Sequence, residues 1–270
     1  MTNTDLRSHF GFHTMPFTRE LSLEHRFEID AFNDALHALR RTIEDRMSGA
    51  LIAPAGSGKS ALLRALVDQL PQARYRVHYV KVTSLSKRDL CREIACALGL
   101  SPTGSYPGLV RKVQDFFQTT SDTNGLRPVL IFDDAHEMRP EVLGLLRILT
   151  NFDMDSRLVV SILLAGQAPL RTMLRRDHLE DIARRLAHIA TLRPLSRDES
   201  ARYVEHRCKV AGAQSLPFDP RAMDALYEIA CGNLRATDRI ALGALQAAHG
   251  RSVPVADHTD IIEARSRLWL

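Results

Sequence analysis

Long apolar runs, an export signal and a cysteine framework are all missing from this 270-residue chain. The longest apolar stretch, Leu158–Ala165, is far too short to cross a bilayer and suits a buried strand. No membrane partner is therefore expected. The opening residues MTNTDLRSHF have no cationic-then-apolar pattern, so a cytoplasmic location without an export signal is expected. Four cysteines (Cys91, Cys96, Cys208, Cys231) lack metal-ligand spacing and are expected to be reduced, with Cys91 and Cys96, inside an apparent helix, as packing thiols. Charge of one sign is also scarce: the net value is +4, which permits a polyanionic partner without requiring one. What is present is an ordinary globular balance, 45% hydrophobic and 25% charged, long enough for one α/β domain plus a smaller one.

The chain is organised around Ala53–Ser60, APAGSGKS. The apolar residues Ala50, Leu51 and Ile52 lead in, and Leu62, Leu63, Leu66, Val67 and Leu70 follow at helical spacing. Strand, glycine turn and helix opening on Lys-Ser is an arrangement that wraps a phosphate chain. Gly56 and Gly58 allow dihedrals that turn successive backbone N–H groups inward, where the helix dipole also points. Pro54, Ala55, Gly56, Ser57, Gly58, Lys59, Ser60 and Ala61 are the expected nucleotide contacts. Lys59 would reach the terminal phosphates and Ser60 would offer its hydroxyl to Mg²⁺. Ala53 stands where the motif usually has its first glycine, a change of one methyl that the loop is expected to tolerate.

A metal-bound phosphate chain needs a carboxylate, and VLIFDD (129–134) supplies one. Asp133, at the carboxyl end of a buried strand, would hold Mg²⁺ through its water shell. Asp134 falls where many ATPases place a water-orienting glutamate. Its side chain is one methylene shorter, roughly 1.5 Å. About 1 Å of misplacement can cost on the order of 100-fold, so slow ATP turnover is expected. Gln167 in LLAGQ would sense the γ-phosphate or position water, with a plain turn residue after Gly166 as the lesser alternative. Arg184-Arg185 would complete a neighbouring subunit's site, and Arg235 in GNLR would report the γ-phosphate; exposed surface arginines also fit both places.

Around these motifs the pattern predicts a helix over 30–47, strands at Val77–Thr83, Val129–Asp133, Leu158–Ala165 and Ile189–Leu192, a loop over 101–108 and a short helix at 109–117. Strands alternating with helices imply a parallel sheet. Beyond Leu195 the pattern is wholly helical, with three helices beginning at Ser196 (a capping box with Glu199), Asp219 and Leu234. FGFHTMPF, near the start, has no regular period and reads as an apolar segment draped over a neighbouring surface. The expected division is 1–48, an N-terminal apolar segment and helix; 49–193, the nucleotide-binding core; and 194–270, a helical lid.

In combination, FGFHTMPF, APAGSGKS, VLIFDDAHEM, ILLAGQAPLRTML, IARRLAHIATLRPLSRDE and GNLR resemble an AAA+ ATPase, specifically the group holding ExeA-type ATPases and the transposition helpers MuB, TnsC and TniB. The resemblance implies an α/β P-loop fold with a five-stranded parallel sheet, a small all-helical lid, ATP with Mg²⁺, and nucleotide held between protomers of a homo-oligomeric ring or filament. It also implies that Arg185 is the trans arginine and Arg235 the lid arginine. ExeA-type ATPases usually continue into a membrane helix and a wall-binding domain. A chain ending at Leu270 resembles the transposition helpers instead, which assemble on duplex DNA and recruit a transposase.

For that role Lys81, Thr83, Lys87, Arg88, Ser105, Tyr106 and Arg111 are the expected backbone contacts, without a base-reading module. The alternative is an ExeA-like ATPase acting in secretion or envelope assembly. Arg171–Arg185 would serve as an interprotomer segment and the terminal Trp269-Leu270 as a docking hook, or each as plain surface.

Overall fold

The computed structural model describes residues 3–18 and 22–268; Trp269 and Leu270, the expected docking hook, lie outside the described residues. In chain order the elements begin with helices α1 (Asn3–Phe10) and α2 (Asp30–Glu44), then strand β1 (Ser48–Ile52) and helix α3 (Lys59–Asp68). Next come β2 (Tyr75–Lys81), α4 (Lys87–Ala97), α5 (Tyr106–Asp122), β3 (Arg127–Asp133) and α6 (Pro140–Leu149). They continue through β4 (Ser161–Gly166), α7 (Ala168–Leu174), α8 (Glu180–Ala183) and β5 (Leu186–Thr191). Four helices follow: α9 (Arg197–Val210), α10 (Pro220–Ala230), α11 (Leu234–Gly250) and α12 (His258–Arg267).

The chain divides into two compact units. One comprises 30–54 and 59–192; the other comprises 1–29, 55–58 and 193–270. Residues 1–48 are thus not one piece: α2 packs on β1 and β5 of the first unit, whereas the segment before it belongs to the second.

The α/β unit is a five-stranded parallel sheet in the order β2-β3-β4-β1-β5. All of β4 and six of the seven residues of β3 are buried, as expected for parallel strands covered on both faces. The edge strands β2 and β5 expose part of their length. Strand boundaries follow the neighbours available. β2 runs two residues earlier than its apolar run predicts because Tyr75 and Arg76 pair with Arg127 and Pro128, and it stops at Lys81, leaving Thr83 beyond the strand. β4 begins at Ser161, not Leu158, since that is where pairing with Val129 begins; Leu158 is exposed.

Helix boundaries follow their caps. α2 ends at Glu44 because Arg46 adopts φ 62°, while the N–H groups of Arg46 and Met47 donate to Ile43 and Thr42 carbonyls, a Schellman arrangement. α5 is longer than the predicted 109–117 because Ser105 is its N-cap, accepting from Gly108 N–H at 3.3 Å, with a proline in the first turn.

The helical unit has its own core, containing Leu6, Phe12, Phe17, Val204, Leu226, Ile240 and Ile261. The apolar start of the chain is therefore a built-in part of this unit: α1 packs against α11, and His13 N–H donates to Ala211 O at 2.7 Å. That approach requires Gly212, at φ +100°, where a Cβ would collide with the His13 ring. The capping box of Ser196 and Glu199 forms, as does the Asp219 cap on Ala222 N–H at 2.6 Å. α12 lies beyond the predicted elements; its capping box uses Asp260 where the usual signature has Glu or Gln.

Candidate functional site

At the carboxyl ends of β3 and β4 the α/β unit gathers the chemistry. Lys59, the first residue of α3, bonds Asp133 Oδ1 and also Asp134 Oδ1, the latter at 2.6 Å. Asp133 is nearly buried (5% exposed), and its other oxygen accepts from the Tyr79 hydroxyl at 2.9 Å. Asp134 sits at φ 57° and its own N–H donates back to Asp133 Oδ1 at 2.8 Å. Such a left-handed residue is tolerated best by Asp, Asn or Gly. Partial burial pushes the Asp134 carboxyl upward, but the hydrogen bond and charge of Lys59 outweigh it and hold the group below the ordinary Asp range. Burial, then the bond to Asp133, push the Tyr79 phenol up.

The donor set is hard carboxylate and hydroxyl oxygen plus an ammonium, which fits a magnesium-bound phosphate chain. In that arrangement Asp133 and Ser60 would hold the metal and Lys59 the phosphates, which requires Lys59 to exchange its carboxylate partners for phosphate oxygen. Ala53, at the unusual position, is fully buried with its N–H donating to Gly166 O at 2.9 Å, so its methyl adds to the core and leaves the strand end in register.

Gln167 precedes α7 and its amide lies 2.9 Å from His136 Nε2, two residues beyond Asp134. The structure therefore brings Lys59, Asp133, Asp134 and Gln167 to one end of the sheet, together with Tyr79 and His136, which sequence reasoning missed. His136 stood inside the carboxylate motif, and Tyr79 stood two residues before Lys81 on a strand that alternates.

Arg185 is not among them. Its guanidinium makes a two-pronged bond to Asp155 (2.6 Å twice), and Arg184 is paired with Glu180. The Arg185 hydrogen bond holds Asp155 below the usual range, with burial opposing it and the Arg185 charge adding to it.

In the helical unit, the turn Ala55–Gly58 meets the start of α11. Gly56 (φ +77°) and Gly58 (φ +91°) adopt the positive dihedrals expected. Asn233 Nδ2 donates to Ala55 O at 2.6 Å and Arg235 N–H donates to Gly56 O at 3.2 Å. The Arg235 side chain is exposed. Pro54, Ala55 and Ser60 are exposed, Ser57 is buried, and Ala61 is half-buried.

Of the expected phosphate-backbone contacts, Lys81, Thr83, Lys87, Arg88 and Arg111 are exposed. Arg88 already donates to Gly104 O at 3.2 Å. Two others have structural uses. Ser105 caps α5, and Tyr106 is half-buried against the α/β core. No group of three or more His, Cys, Asp or Glu among the described residues is placed to hold a metal alone. No helix among them is long and apolar enough to cross a membrane.

Comparison with known proteins gives this geometry a family. The chain is similar to general secretion pathway protein A of Aeromonas hydrophila, at 31% identity over 256 residues, 93% of this chain but 46% of that protein. The chain thus spans less than half of that relative's length. Its fold is similar to Cdc6p of Pyrobaculum aerophilum (TM-score 0.71, 16% identity, 93% of this chain and 70% of that one). It is likewise similar to the ORC2 protein of Aeropyrum pernix (TM-score 0.69, 14% identity, 95% and 72%). The family model described as AAA domain matches residues 40–174, which takes in the phosphate loop, both aspartates and Gln167. With the five-stranded parallel sheet and that P-loop, the chain belongs to the AAA domain family of nucleotide-hydrolysing P-loop ATPases.

Proposed function

We propose that this chain is a magnesium- and ATP-dependent switch that assembles with copies of itself and powers a secretion or envelope-assembly machine. The observation that carries the reading is the 31% identity to general secretion pathway protein A across 93% of the chain. Asp134, short and tied to Lys59, favours slow hydrolysis used to reset an assembly. A cytoplasmic setting suits four cysteines that form no disulfide. In the assembled state Arg185 would serve a neighbouring protomer's nucleotide, giving up Asp155 to do so, and Arg235 would report the γ-phosphate.

A second reading keeps the exposed Lys81, Thr83, Lys87, Arg88 and Arg111 as a track for duplex DNA, with a transposase recruited to the resulting ring or filament. Those five exposed side chains favour it; the structural uses of Ser105 and Tyr106 weaken it. Sedimentation with a non-hydrolysable ATP analogue, with and without non-specific duplex DNA, separates the two. The first reading expects nucleotide-dependent assemblies indifferent to DNA. Large assemblies formed only with DNA and analogue together would overturn it in favour of the second.

A further inference from the structure

We propose that Asn233 is a positioning residue for the phosphate loop, holding its peptide planes in the orientation that binds phosphate. The proposal rests on the loop's role in nucleotide binding and is independent of which partner the ATPase serves.

Asn233 is the N-cap of α11, and its amide faces two ways. Oδ1 accepts from Ala236 N–H at 3.1 Å, while Nδ2 donates to Ala55 O at 2.6 Å. The reversed amide would set oxygen against oxygen and N–H against N–H, so the network fixes the orientation. Two residues after Asn233, Arg235 N–H donates to Gly56 O at 3.2 Å.

In a trans peptide the carbonyl and the following N–H point in opposite directions. A grip on the carbonyls of Ala55 and Gly56 therefore aims the N–H groups of Gly56 and Ser57 to the opposite side of the loop. Inward-facing N–H groups of this kind are what a phosphate chain binds in a P-loop. Gly56 is needed for the grip as well as for its positive φ. A Cβ there would run into the Asn233 amide oxygen and lie 2.9 Å from Arg235 Cβ. Asn233 thus does what a lid arginine does not: it acts on the loop backbone, and equally for nucleotides that share the phosphates the loop wraps.

The test uses the full chain and the Asn233→Ser variant. Serine keeps the cap on Ala236 but is too short to reach Ala55 O. Fluorescent ADP is titrated into each protein, and the KM and kcat for MgATP hydrolysis are measured. A single neutral hydrogen bond contributes about 0.5–1.5 kcal/mol, so the Kd for ADP and the KM for ATP are expected to rise together by about two- to thirteenfold. The kcat should stay within about twofold, because the lost bond positions the ground state and the transition state alike. A second comparison adds Gly56→Ala to both backgrounds. Its methyl meets the Asn233 amide, so it should weaken ADP binding less in combination with Asn233→Ser than alone. An unchanged Kd in Asn233→Ser, a fall in kcat with KM unmoved, or an equal cost of Gly56→Ala in both backgrounds would overturn the proposal. If the parent protein itself fails to bind ADP, the nucleotide reading beneath the proposal fails as well, and the two failures are distinguishable.

Discussion

Replacing Lys59 with methionine should lower the stability of the ligand-free protein, quite apart from any loss of nucleotide. The ammonium bonds both Asp133 and Asp134, and the three side chains are 12%, 7% and 32% exposed. Removing one partner of a buried ion pair costs about 3–5 kcal/mol, because the remaining charge stays out of water. Two features reduce that cost here. Asp133 keeps the Tyr79 hydroxyl and the Asp134 N–H, and Asp134 is partly solvated. A loss of about 2–3 kcal/mol is therefore expected. In a protein of this size about 1 kcal/mol moves the melting midpoint by roughly 2–4 °C, so Lys59→Met should melt about 4–12 °C below the parent at pH 7.

The pH dependence has a definite sign. Asp134 titrates below its unfolded value in the folded protein, so its stabilisation by Lys59 is present above the ordinary Asp range and is lost as pH falls through the folded value. The gap between parent and variant should consequently narrow below about pH 4. Calorimetric melts of both proteins at pH 7 and pH 3 check this. A variant that melts at or above the parent at pH 7, or a gap that widens in acid, would refute the reasoning.

Burial pushes the thiols of Cys91 and Cys208 up to about 11 and about 12, whereas Cys96 and Cys231 are exposed. A thiol-disulfide reagent at pH 8 should therefore react rapidly with two cysteines, and with the other two only after denaturation. In the helical unit, the Arg193 hydrogen bond pulls Glu199 down to about 2, with burial opposing and Ser196 adding to the effect. Its stabilisation is present above pH 4.5 and lost between there and about 2. Since Arg193 is half-exposed (53%), the pair contributes about 1 kcal/mol at most. Glu199→Gln should melt lower at pH 7, by no more than roughly 2–4 °C, and level with the parent near pH 2, measured by circular dichroism.

Much of this was legible in the sequence because local signals and tertiary needs agree. APAGSGKS and VLIFDD name their own chemistry, and the buried strands β3 and β4 read as continuous apolar runs. The edges were less legible, since a strand ends where its neighbour ends: only the pairing of Tyr75 with Arg127 shows that β2 begins there. Ser105 caps α5, and in sequence a cap and a nucleic-acid contact look alike because polar residues serve both purposes. FGFHTMPF has no period, and what fixes it is a distant partner, Ala211 and Gly212. The Arg185–Asp155 pair and the Asn233–Ala55 bond join residues 30 and 178 apart, so no spacing rule reaches either.

The proposed switch requires Lys59 and Asp133 to serve a magnesium-bound nucleotide that is hydrolysed slowly. The decisive assay is steady-state phosphate release from ATP, with Mg²⁺ and with Mg²⁺ removed by chelation. Saturable, Mg²⁺-dependent hydrolysis is expected at well under about 10 per second, a typical enzyme rate, with its loss in Asp133→Asn. Hydrolysis that is absent, indifferent to Mg²⁺, or in the tens per second would contradict it.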